Sequence, residues 1–205
     1  MRTIKFILIL VAFAAAPALA QESYLYFSWD YTQPLTNKSW ISGGTARGAK
    51  AGVRKFIGQE RRFSAGVDFN WNYLQEYKPT ETVQTSTGAF TTDYFNNIAS
   101  IALVASGQYY FPLGNKEHFF PYAGLGMGAN RNRYSQSYNI YQDSETKYGF
   151  LVRPEAGILV RLGGRRRWGA MAAVHYDYST NKNATYDYNS YSAVGFQLGV
   201  MIWQW

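Results

Sequence analysis

Three side chains on one short stretch, His175, Asp177 and Ser179, have the types that nucleophilic hydrolysis uses. In that chemistry an imidazole takes the proton of a hydroxyl while an acid orients the ring, so histidine and serine must be within hydrogen-bond reach. Alternate positions put all three on one face of a strand. Ser179 is four residues from His175, roughly 13 Å at strand rise, which excludes direct contact along the strand. The second histidine, His118, falls in a predicted turn. Cysteine is absent, and no HExxH motif, phosphate loop or two-histidine metal spacing occurs. The expectation is no catalytic site, no metal and no cofactor.

A second group can do electrostatic work. Lys50, Arg54, Arg153 and Arg161 share the small, polar parity of their segments with Asp68, Glu155, His175 and Asp177. Charges turned into an interior need partners, so this set predicts an ion-pair and hydrogen-bond network filling a lumen. The alternative use of the same residues is a small gated pore or a ligand-binding cavity.

The elements that must position these groups are read from periodicity. From Phe63 to Leu74 the chain alternates without a slip: Phe63, Ala65, Val67, Phe69, Trp71 and Tyr73 on one parity, Ser64, Gly66, Asp68, Asn70 and Asn72 on the other. A period of two is a β-strand with one apolar face. The polar face is made of small residues, which suits a crowded interior and leaves the aromatics outside, facing lipid. Seven more segments follow the rule. They run near Ser23 to Tyr31, Trp40 to Ile57, Ile98 to Phe111, Phe119 to Asn130, Phe150 to Leu162, Trp168 to Tyr178 and Ala193 to Ile202. Pro154 falls inside one of them, and a bulge there is the simplest accommodation.

The fold class predicted is therefore all-β: an eight-stranded antiparallel up-and-down transmembrane β-barrel. Compact connections, Gly58 to Arg62, Pro112 to His118 and Gly163 to Arg167, alternate with long ones rich in Tyr, Ser, Thr, Asn and Gln. Short turns belong on the periplasmic side and long loops outside, and an even strand count puts both termini in the periplasm. A soluble lipocalin-like barrel shares the periodicity but would need the reverse polarity. Its interior would have to hold Trp29, Phe69, Trp71, Phe150, Trp168, Tyr176 and Phe196 together, too much for eight strands.

Residues 1–20 read as a secretory signal. Arg2 and Lys5 begin it, an apolar run from Phe6 to Ala16 follows, and Ala18-Leu19-Ala20 closes it. Residues 21–205 are then the barrel domain. With Arg2 and Lys5 gone, the net charge of +7 falls to +5. A basic, aromatic-rich chain can bind nucleic acid, but export removes that partner and the aromatics follow strand parity. The mean hydropathy of -0.29 fits a barrel, half of whose strand residues face inward.

Several stretches resemble the small outer-membrane β-barrel family of Gram-negative bacteria. They are Arg47-Gly48 through Val53-Arg54-Lys55-Phe56, the strand Phe63 to Leu74, Phe119-Phe120-Pro121-Tyr122-Ala123-Gly124-Leu125-Gly126, and Arg153-Pro154-Glu155-Ala156-Gly157. The resemblance implies a barrel similar to that of outer membrane protein A, residence in the cell outer membrane, and contact with outer-membrane lipid and lipopolysaccharide. It also implies that Trp205 is a terminal aromatic signal read by the barrel assembly machinery. Trp203 and Trp205 nevertheless share the inward parity of Met201, so either a bulge flips them or the end leaves the bilayer. Some small barrels modify lipid A; the lipid A deacylases pair His and Ser two residues apart, and here that second position is Asp177.

Loop aromatics form three groups: Tyr73, Tyr77 and Tyr94; Tyr134, Tyr138, Tyr141 and Tyr148; and Tyr186, Tyr188 and Tyr191. They read as an interfacial girdle with extended pairing above the membrane, or as a recognition surface for an unknown ligand. Arg131 and Arg133 near one rim suit lipopolysaccharide phosphates. The resulting functional expectation is a non-enzymatic barrel with a structural or surface-interaction role.

Overall fold

Alternation in the sequence becomes alternation in space. In the computed structural model, which describes residues 22–58, 60–85, 88–111, 118–138, 141–162 and 167–204, eight strands form a closed barrel in sequence order. They are β1 (Ser23–Pro34), β2 (Gly48–Ile57), β3 (Phe63–Thr85), β4 (Gly88–Tyr110), β5 (Phe119–Tyr138), β6 (Tyr141–Arg161), β7 (Trp168–Ser179) and β8 (Tyr191–Gln204). Each pairs antiparallel with its neighbours, and β8 closes on β1. The expected class holds. Residues 1–20 and Trp205 lie outside the described residues.

Closure carries a stagger. The line of paired residues that leaves β1 at Leu25 passes Val53, Val67, Ala105, Met127, Val152, Tyr178 and Ser192. It comes back to β1 at Leu35, whose N–H donates to Ser192 O at 2.9 Å. A shift of ten residues in eight strands corresponds to a tilt of roughly 40°.

Outward positions form an apolar belt: Phe27, Val67, Leu103, Met127, Phe150, Val174 and Val200 are all exposed, while their neighbours along each strand point inside. Exposed hydrophobic surface of this extent is explained by lipid. Lys55 is an outward charge two residues from the end of β2, close enough to the rim for its stem to lie along the belt and its amine to reach headgroups.

Four expectations change. First, β2 starts at Gly48, so Trp40 to Arg47 is a loop rather than strand. Second, Pro154 causes no bulge. Val152 faces Tyr178 and Glu155 faces His175 in unbroken register, with the two intervening rungs left unpaired because proline has no N–H for the ladder. The register shift instead falls between Lys78 and Glu81, at Pro79. Third, Trp203 is neither flipped nor outside: Tyr24 pairs with Trp203 in continuous register and its indole is buried in the lumen. Fourth, the long connections after β3 and β5 are shorter than expected, since β3 to β6 continue as paired strands well past the belt, to Thr85, Gly88, Tyr138 and Tyr141, while the one after β7 stays long.

Candidate functional site

The lumen is filled in three layers. At the end that carries the termini, Tyr24, Phe56, Tyr110 and Trp203 pack together with Phe120, and Phe56 lies flat on Trp203 with centroids 5.5 Å apart and planes 4° from parallel. Arg161 sits over the same indole, 5.3 Å from its centroid. Charged residues occupy the middle. A second aromatic layer closes the far end.

Inward parity delivers each charged group: Lys50 and Arg54 from β2, Asp68 from β3, Arg153 and Glu155 from β6, His175 and Asp177 from β7, and Asp30 from β1. Arg54 Nη2 donates to Asp68 Oδ2 at 2.9 Å and stands 3.9 Å from Glu155 Oε1. Lys50 Nζ reaches Glu155 Oε2 at 3.3 Å. Arg153 holds Asp177 with two bonds, Nε to Oδ1 at 2.5 Å and Nη2 to Oδ2 at 2.6 Å, and also donates to Asn70 Oδ1 at 3.1 Å. All of these side chains are buried, so each cation is balanced locally rather than by solvent. Of the predicted set, Arg161 alone lies apart, in the aromatic layer.

Tyrosine hydroxyls tie the layers. Tyr26 donates to Asp68 Oδ1 at 2.5 Å and Tyr122 to Glu155 Oε1 at 2.8 Å, while Gln108 Nε2 adds a bond to Glu155 Oε1 at 3.0 Å. Asp30, Tyr26, Tyr122 and Gln108 all have the inward parity; the phenols and the amide carry no charge that marks them for an ion-pair network, whereas Asp30 does and stands outside the predicted set.

His175 is positioned as part of this network. Its Nδ1 lies 3.5 Å from the Lys50 ammonium, which can only donate, so the ring proton belongs on Nε2, 3.7 Å from Asp30 Oδ1. The ring fits because residue 195 is glycine; a Cβ there would collide with the imidazole. Asp177 is taken by Arg153, and Ser179 Oγ donates to Asn181 Oδ1 at 2.7 Å. The three residues with hydrolase chemistry are thus engaged elsewhere. The cavity in this layer, between Arg54, Asp68, Gln108, Arg153 and Glu155, is about 10 Å³, the room of one water.

The far layer is built by loops. Trp40 and Ile41, between β1 and β2, meet Tyr186 and Tyr188, between β7 and β8, above Leu74, Ile98 and Tyr134. Trp40 and Tyr186 rings are 4.4 Å apart, and Tyr134 and Tyr188 rings 4.8 Å. Asn37 Nδ2 donates to Tyr186 O at 2.8 Å, joining the two loops. Burial, and then the Asp143 acceptor at 3.0 Å, push the Tyr186 hydroxyl well above the ordinary phenol range. Glu76 on β3 clasps the first loop: its Oε2 accepts from Ser42 N, from Ser42 Oγ at 3.0 Å and from Gly43 N at 3.1 Å, and its Oε1 from Lys78 Nζ at 2.7 Å. Burial opposes the Glu76 charge; the Lys78 and backbone donors outweigh it and hold the carboxyl below its ordinary range.

The loop tyrosines do not form one surface. Tyr134, Tyr186, Tyr188 and Tyr191 are buried, Tyr77, Tyr141 and Tyr148 are exposed, and Tyr73, Tyr94 and Tyr138 are intermediate. A polar depression of about 250 Å³ between Thr36, Asn37, Asp187, Tyr188, Asn189 and Ser190 opens where the two capping loops meet.

Closed eight-stranded ring, lipid-facing belt and polar interior together define a transmembrane β-barrel of the outer-membrane type, the fold of small barrels of the Gram-negative cell outer membrane. No protein-family model and no curated sequence matches the chain. Solved structures do. Neisserial surface protein A is 13% identical with a TM-score of 0.57, over 88% of this chain and 96% of that one. Ail, the attachment invasion locus protein of Yersinia pestis, is 12% identical over 91% of this chain and 100% of that one, with a TM-score of 0.53. The same protein in complex with the heparin analogue sucrose octasulfate aligns at 0.51.

Proposed function

We propose that this chain is a non-enzymatic outer-membrane barrel with a closed lumen, serving as a structural and surface-interaction protein. One observation carries the reading: the lumen is occupied at every level, by Trp203 and Phe56 at one end, the Arg54, Asp68, Glu155, Arg153 and Asp177 network in the middle, and Trp40 with Tyr186 at the other. Ions crossing it would have to separate buried ion pairs and two aromatic layers at once. A signal segment ending at Ala20 would deliver the chain to the periplasm, and Trp205 would be the residue that the barrel assembly machinery reads.

On this reading the end with the long hairpins is outside the cell. The paired strands of β3 to β6 then stand above the membrane, and surface interaction belongs to them and to the capping loops. Liposomes loaded with the mature chain test the closed state. They should swell in arabinose no faster than empty liposomes; porin-like swelling would overturn it. Lipid A mass spectra from cells with and without the gene should be identical, and a lost or gained acyl chain would establish an enzyme instead.

A further inference from the structure

Above the belt, the outer wall carries an arginine cluster that the lumen does not use. Register lines Arg131 of β5 up with Ile101 of β4, and Arg133 with Ala99; Ala99 in turn faces Tyr73 of β3. Tyr73 N donates to Arg47 O at 3.0 Å, so Arg47 ends the same row on the β2 side. Arg47 and Arg133 are therefore three strand spacings apart, roughly 14 Å. All three arginines are exposed and have the outward parity. Arg47 Nη1 donates to Gln75 Oε1 at 3.2 Å and Arg133 Nη2 to Ser144 Oγ at 3.2 Å, both neutral acceptors. Among the described residues no carboxylate pairs with any of the three.

What lies beneath identifies the ligand. The same wall turns apolar at the level of Arg131 and below it: Trp71 on β3 and Ile101 on β4 share the Arg131 rung, Leu103 on β4 and Met127 on β5 follow towards the belt, and all four are exposed. Ala99, in the arginine row between Tyr73 and Arg133, is small and leaves space between the flanking side chains of β3 and β5. A ligand here meets fixed positive charge at one end and lipid-facing hydrocarbon at the other. Soluble anions match the first feature only.

We infer that Arg47, Arg131 and Arg133 form a binding site for the phosphorylated headgroup of an outer-leaflet glycolipid, whose acyl chains run down the β4 face over Ile101 and Leu103. Guanidinium groups suit this task because their paired N–H donors match two phosphate oxygens at once. The site would fix the barrel among its annular lipids and stiffen the wall from which the long hairpins rise. It rests on the proposed orientation, with the hairpins outside, but not on the closed lumen.

Native mass spectrometry of the refolded mature chain in detergent, titrated with bis-phosphorylated lipid A, tests the site. The wild type should retain lipid A, and dephosphorylated lipid A should be retained at least about tenfold less. Each of Arg47→Gln, Arg131→Gln and Arg133→Gln should weaken retention, roughly tenfold for a charge-assisted pair, and the triple variant should lose it. A triple Arg→Lys variant, which keeps the charge without the fork, should fall in between. Heat-modifiable migration checks that each variant is folded, and single variants suffice if the triple is not. Equal retention by folded wild type and Gln variants, or by phosphorylated and phosphate-free lipid, would overturn the site. So would arginine-dependent binding of inorganic polyphosphate as tight as that of lipid A. Channel closure is read separately, so a failed site leaves the lumen reading intact.

Discussion

Arg153 and Asp177 face each other across β6 and β7 on the rung next to Pro154, within the interruption of the backbone ladder. The flanking pairs, Val152 with Tyr178 and Glu155 with His175, keep one register, which sets Arg153 opposite Asp177. Their two bonds of 2.5 and 2.6 Å bridge the strands where main-chain pairing is missing. The ion pair thus has a mechanical role as well as an electrostatic one.

Removing one partner leaves the other charge buried. Arg153→Met should destabilise the folded barrel by about 3–5 kcal/mol, and Arg153→Met with Asp177→Leu should recover most of that loss. Urea unfolding in lipid vesicles, followed by tryptophan fluorescence, measures both. Equal stability of the single and double variants would show that the pair is not coupled.

The lipid face has its own test. Val67, exposed near the middle of the belt, should tolerate Leu, whereas Val67→Arg should cost about 2–4 kcal/mol. The same unfolding assay reads the difference. A neutral Val67→Arg would mean that this face meets water.

Acid should release the first capping loop. The Glu76 carboxyl is held below its ordinary range, so its contribution is fully present above the unfolded value and is lost as pH falls through the folded one. Hydrogen exchange at Ser42 and Gly43, corrected for intrinsic rates, should rise on acidification in the wild type. Glu76→Gln should show fast exchange already at neutral pH and little further change. Unchanged protection in that variant would remove the clasp.

Gly195 gives a purely steric prediction. Gly195→Val must push aside the His175 ring and should destabilise by about 1–3 kcal/mol as an overpacked core. Combining it with His175→Ala should relieve most of the cost, and additive losses in urea unfolding would contradict the contact.

Periodicity exposed the fold because lipid and lumen impose opposite demands on successive residues. Phe63 to Leu74 shows both demands, and β3 follows them. Above the membrane both faces meet water, the alternation fades, and Gln75 to Thr85 read as a loop although it is paired strand. Trp203 misled for a related reason: an indole on the inward parity looks misplaced until Tyr24 and Phe56 are seen to stack around it. Parity marks the inward charged side chains, Asp30 included, but it does not say which of them meet: Asp30 of β1 faces His175 of β7, far along the chain. Nothing local marked Trp40 as a cap, since its partner Tyr186 is far along the chain.

The proposal that the lumen is closed is tested most directly by single-channel recording of the mature chain in planar bilayers at neutral pH. The proposal predicts a flat baseline without discrete conductance steps. Sustained, uniform steps from folded wild-type protein would contradict it.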